Sequence, residues 1–115
     1  MPLDEKRIED LKNLQYENIC LFNHLFHLFE IDYENFINEI DEQIKIKNHE
    51  KIFEMVHYMK SSCINIGAID PGQICSVICK DIEKGNPIGI EQIEDLKYSI
   101  KESIEELKEF LKSQN

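Results

Sequence analysis

This sequence of 115 residues contains no apolar run approaching 18 residues, so no membrane span is expected. It is short of positive charge. Thirteen basic residues stand against 23 acidic ones, a net charge of −10. That balance argues against a nucleic-acid backbone or an anionic membrane as partner. It suits a basic protein surface, and it also serves solubility. There is no glycine-rich nucleotide loop, so direct use of ATP is not expected. No segment alternates convincingly as a strand, and there is no internal repeat or low-complexity tract. The opening residues, MPLDEKRIED, are acidic and polar, unlike a secretory signal or a transit peptide.

What is present is the composition of a folded globular protein, 42% hydrophobic and 31% charged. The length corresponds to one domain, residues 1–115. Cys20, Cys63, Cys75 and Cys79 sit inside apolar helical patterns, which reads as buried thiols in a reducing compartment.

Apolar residues recur at helical spacing almost throughout. Leu3 to Leu14 is a short amphipathic helix with a narrow stripe, Asp4 being placed to cap it. Tyr16 to Lys47 carries Leu21, Leu25, Leu28, Phe29, Phe36, Ile40 and Ile44, widened by Phe22, Phe26, Tyr33 and Ile37. Asp32 is placed to cap a second piece, so one bent helix or two consecutive helices both fit. His49 to Ile66 is a helix with Asn48 as N-cap and Gly67 as its stop. Pro71 to Lys84 follows, with Asp70 as N-cap and Ile74, Cys75, Val77, Ile78 and Ile82 on its apolar side. After the turn Gly85-Asn86-Pro87, Ile90 to Lys112 presents Ile93, Leu96, Ile100, Ile104, Leu107 and Leu111, with Lys101 and Glu105 spaced to pair on the other face. The expected fold is all-α: an antiparallel four-helix bundle with a short extra N-terminal helix.

The helix from His49 to Ile66 sorts most sharply by direction. Ile52, Val56, Met59, Cys63 and Ile66 share one stripe. His57 points roughly the other way, among Glu50, Phe53, Glu54, Lys60, Ser61 and Ile64. A neutral imidazole nitrogen is a nucleophile that can accept a phosphoryl group near neutral pH. Lys60, one turn on, can reach phosphoryl oxygens as a point charge. Ser61 is small enough for another backbone to come close. Phe53 and Ile64 flank the ring and offer apolar contact to a partner. The same two side chains could instead be covered by the N-terminal helix.

The string His57, Lys60, Ser61, Ser62, Cys63, Ile66, Gly67, Ala68 resembles the H-x-x-K-G-S-S-x-x-[IL]-G-A motif of histidine-containing phosphotransfer domains. Leu28 to Ile40 looks like that family's leucine-phenylalanine-acidic segment. Leu11, Leu14, Gln15 and Glu17 look like the L-x-x-L-Q-x-E of its stand-alone plant-type members. Cys75 falls where many relatives carry a cysteine, and Glu83 to Asn86 resembles the acidic end of that helix. The likeness spans roughly Leu3 to Leu111. Two positions depart from it: Ser61 replaces the usual glycine, and Cys79, with Lys80 beside it, stands where relatives often place glutamine or arginine.

The resemblance implies a monomeric carrier in a two-component phosphorelay, not an enzyme with its own nucleotide site. His57 would take a phosphoryl group from an aspartyl phosphate on a receiver domain and pass it to another receiver, with Lys60 and Ser61 beside it. The partners implied are receiver domains of hybrid histidine kinases and response regulators, docking on Glu50, Phe53, Glu54 and Ile64. No cofactor is expected on this chain; the Mg²⁺ belongs to the receiver. Plant-type relatives act in cytokinin signalling, in cytoplasm and nucleus. Two rival readings are a phosphate-independent adaptor that binds receivers through the same face, and a structural bundle whose histidine is incidental. A metal site at Cys20, His24 and His27 is disfavoured by apolar surroundings and the lack of a second ligand pair. Cys63 falls in the core by phase and is a poor candidate nucleophile. Cys75 and Cys79 share one helix, where a bond would staple nothing.

Overall fold

The computed structural model describes residues 3–14 and 19–113. Gln15 and Glu17, on which part of the plant-type resemblance rests, lie outside them, as does Tyr16, the expected start of the second helix. Five helices follow in order: α1 (Glu5–Leu14), α2 (Ile19–Lys45), α3 (His49–Ile66), α4 (Ile69–Glu83) and α5 (Ile90–Ser113). Among the described residues the only β-pairing is a single bridge between Leu3 and Ala68. The molecule is elongated, 46 × 23 × 19 Å. Its length is set by α2, whose 27 residues rise about 40 Å.

Contacts close a ring: α2 packs on α3, α3 on α4, α4 on α5, and α5 back on α2. Cross-helix bonds give the directions. Asp81 meets Gln92 while Asp70 and Glu102 line one groove, so α4 and α5 are antiparallel. Asp41 meets Lys97, Glu30 meets Lys108, and Phe22 meets Phe110, so α2 and α5 are antiparallel too. The core between the helices holds Phe22, Phe26, Phe29, Phe36 and Ile40 from α2. It also takes the whole α3 stripe of Ile52, Val56, Met59, Cys63 and Ile66. From α4 come Cys75, Ile78 and Cys79, and from α5 Ile93, Leu96, Ile100, Ile104 and Leu107. Each such side chain taken from water contributes on the order of 1.5–3 kcal/mol.

Several expectations are corrected. Of the two arrangements the sequence left open for α2, the structure has the single helix, and Asp32 sits in its middle without capping a second piece. Its buried stripe runs through Phe22, Phe26 and Phe29. Cys20, about 200° from Phe22, is therefore exposed, and Leu28 is 42% exposed. α4 starts two residues earlier than Pro71. Ala68 occupies the cap position without a side-chain bond, and Asp70 lies in the first turn, where a carboxylate favours the helix dipole. Pro71 is accommodated there because first-turn N–H groups have no helical acceptor. Val77, about 200° from both Cys75 and Cys79, is 55% exposed. Lys101 and Glu105 form no ion pair among the described residues; Lys97 instead binds Asp41 at 2.8 Å and Glu94 at 3.1 Å.

Caps fall largely where the sequence places them. Asp4 Oδ1 accepts from the Arg7 N–H at 3.0 Å and starts α1. Asn48 Oδ1 accepts from the Lys51 N–H at 3.1 Å and starts α3. Gly67 ends α3 with φ 84°, its N–H bonded to the carbonyls of Cys63 and Ile64. The same glycine seats the chain before α1. The Asp4 N–H donates to the Gly67 carbonyl, and Arg7 Nε donates to the Asn65 carbonyl at 3.3 Å. A Cβ on Gly67 would lie 3.2 Å from the Asp4 carbonyl oxygen and 3.2 Å from Ile8 Cγ1.

Two stability predictions follow from this packing. Gly67→Ala combines a left-handed backbone with a crowded neighbour, and should cost about 1–3 kcal/mol in denaturant unfolding. Ser103 is fully buried in α5 and its Oγ has no hydrogen-bond partner among the described residues. Ser103→Ala should therefore raise stability, by up to about 1 kcal/mol; a clear loss would show that the hydroxyl is bonded after all.

Candidate functional site on the outer face of α3

Burial of the α3 stripe decides where the opposite side points. His57 is exposed, and so are Glu50, Glu54 and Ser61. Ile64 is 57% exposed. Phe53, one turn before His57, is half-buried and packs against the core edge. Its ring stacks on the imidazole with centroids 5.6 Å apart and planes 10° from parallel. Phe53 thus stacks on the histidine from a half-buried position. α1 does not cover Ile64.

Lys60 is half-buried, not fully on the open face. Its charge is felt across the α3–α4 seam, where it lowers the pKa of both Cys75 and Cys79 against the larger opposing effects. Those larger effects push both thiols up. For Cys75 they are a hydrogen bond with Cys63 and then burial; for Cys79, burial. Neither cysteine carries a reactive thiolate, and Cys63 is fully buried beside them.

A second cluster adjoins the histidine and was not read from the sequence. Tyr58 Oη donates to Asp32 Oδ1 at 3.1 Å, and Ser62 Oγ donates to Asp32 Oδ2 at 2.7 Å. One α2 carboxylate thereby ties two α3 side chains that flank His57 and Ser61 in sequence. A signal for it did exist. α2 and α3 form a hairpin about the turn at residues 46–48, and Asp32 is 13 residues before Lys45 just as Ser62 is 13 after His49. Equal distances from a tight antiparallel turn bring residues face to face. The bond and charge of Asp32 raise the Tyr58 phenol above its ordinary pKa.

Among the described residues no group of three or more His, Cys, Asp or Glu side chains is gathered as a metal site; His24 and His27 are both exposed. No helix is long and apolar enough to cross a membrane among those residues. What the face offers is an exposed imidazole on a helix whose opposite stripe is buried, an aromatic ring stacked on it, a lysine within one turn, and a small hydroxyl residue alongside. No protein-family model, curated protein or solved structure matches this chain.

The raised Tyr58 pKa has a definite sign. The stabilising bond to Asp32 is complete below the ordinary phenol range and is lost as pH rises through the elevated value. Spectrophotometric titration, with Tyr58→Phe as the difference, should show Tyr58 ionising above pH 10. Asp32→Asn should bring that midpoint down; no movement would mean the Tyr58–Asp32 bond does not persist in solution.

Proposed function

We propose that the chain is an antiparallel four-helix bundle with a short N-terminal helix, and that it works as a phosphohistidine carrier between receiver domains. The observation that supports this most is the exposed His57 ring, stacked on Phe53, on a helix whose opposite stripe is buried. The motif from His57 to Ala68 resembles that of histidine-containing phosphotransfer proteins, and Gly67 supplies the left-handed stop that the motif's glycine would require.

In this reading the receiver supplies the aspartyl phosphate and the Mg²⁺. An unprotonated ring nitrogen of His57 attacks phosphorus. The bond from phosphorus to the aspartyl oxygen breaks, the aspartate leaves as carboxylate, and the N–P bond forms. Lys60 lies one turn along to neutralise phosphoryl oxygens. Return of the group to a second receiver is the reverse displacement. Glu50, Glu54 and Ile64 form the docking surface, and Phe53 holds the ring upright. Ser61 stands exposed where the resembled motif has glycine. That side chain favours a second reading, an adaptor that binds receivers without carrying phosphate.

Mixing the protein with a phosphorylated receiver distinguishes them. The carrier acquires acid-labile, base-stable label, and His57→Gln acquires none. Label on His57→Gln would place the acceptor elsewhere and sink the assignment. Binding without label on the wild type would favour the adaptor. Ser61→Gly should preserve or speed transfer. Lys60→Ala should slow it by about tenfold or more while the helical circular dichroism is retained.

A further inference from the structure

The end of the molecule remote from the α1 clasp holds a different feature. The turns after α2 and α4, with the first turns of α3 and α5, line a half-open cleft of about 690 Å³. Its lining is mostly apolar, formed by Ile44 from α2, Ile52 from α3, Ile82 from α4, and Ile88 from the loop before α5. Its rim carries Lys45, Lys47 and His49. Neither lysine enters an ion pair among the described residues.

Two facts set this rim apart. The chain has a net charge of −10, so a cationic edge runs against its general surface. Lys47 also has φ 57°, two residues past the end of α2 at Lys45, a left-handed position where glycine or asparagine is the comfortable residue. A long charged side chain is held there at the mouth despite an unfavourable backbone.

We infer that this cavity binds a free single-chain amphiphile with a carboxylate head, of the fatty-acid type. The alkyl chain lies among the isoleucines and the carboxylate meets Lys45 and Lys47. The volume falls within the usual range for small-ligand clefts, about 300–1,000 Å³. A cationic amphiphile would face the lysines with like charge. A nucleotide would find neither an aromatic platform nor a glycine-rich loop. The cavity begins at His49, eight residues before His57 and so about 12 Å away along α3, and it is independent of the phosphoryl reading.

The test is titration of the whole chain with octanoate, decanoate and dodecanoate, each below its micellar concentration, by calorimetry and amide chemical shifts. The expected result is saturable one-to-one binding with shifts centred on Ile88 and Ile90. The Kd should fall about fourfold per added methylene until the cavity is full. The double variant Lys45→Glu, Lys47→Glu should weaken dodecanoate about tenfold or more, and both positions are exposed, so the helices should persist. Lys47→Gly suits the left-handed backbone; it should keep or raise Tm and still weaken binding. Absence of saturable binding would overturn the inference. So would equal affinity for dodecyltrimethylammonium, an unchanged Kd in both variants, or binding to phosphatidylglycerol vesicles with none to monomeric dodecanoate.

Discussion

The buried stripe of α3 is the constraint from which the rest of the structure takes its orientation. Ile52, Val56, Met59, Cys63 and Ile66 are each almost wholly withdrawn from water, wedged between α2 on one side and α4 on the other. A helix held along about four turns by such a stripe cannot roll, because any rotation would expose several of these side chains at once. His57, Ser61 and Ile64 face outward as a direct consequence. Gly67 completes the arrangement: its left-handed backbone ends the helix, and its missing Cβ makes room for Asp4 and Ile8.

Around that fixed helix the outer face is a composite. Phe53 is packed at the core edge and stacks on the imidazole, so the exposed ring has a half-buried neighbour. Asp32 reaches from α2 to hold Tyr58 and Ser62, bracing the same segment from the side. Lys60 leans toward the α4 seam, close enough for its charge to act on Cys75 and Cys79. For the proposed phosphoryl transfer, a supported ring and a braced backbone matter because a visiting receiver needs a rigid target.

The two ends of the molecule are packed differently. At one, the chain before α1 is clasped to the last turn of α3 by backbone bonds and buried Leu3 and Ile8. At the other, four helix ends meet around isoleucines without filling the space between them, and Lys45, Lys47 and His49 stand among the lining residues there. The proposed amphiphile site and the proposed phosphoryl site thus share α3 without sharing residues.

The amino-acid sequence by itself determined the all-helical class, the α3 bounds, the caps at Asp4, Asn48 and Gly67, and the buried stripes of α3 and α5, while leaving open whether α2 is one helix or two. These follow from 3.6-residue periodicity and from local hydrogen-bonding preferences, which act within a few residues. Only the tertiary structure decided what depends on a neighbouring helix. It settled which of two adjacent apolar rows on α2 went inside, leaving Leu28 and Cys20 out. It stacked a half-buried Phe53 on the imidazole and drew Lys60 partly under cover. It moved the start of α4 back to Ile69, and it turned Asp32 from an apparent cap into a brace. A wide apolar face can be packed at more than one rotation, and a polar side chain takes whichever partner the facing helix presents; that choice is made by register and distance across the core, which no local pattern encodes.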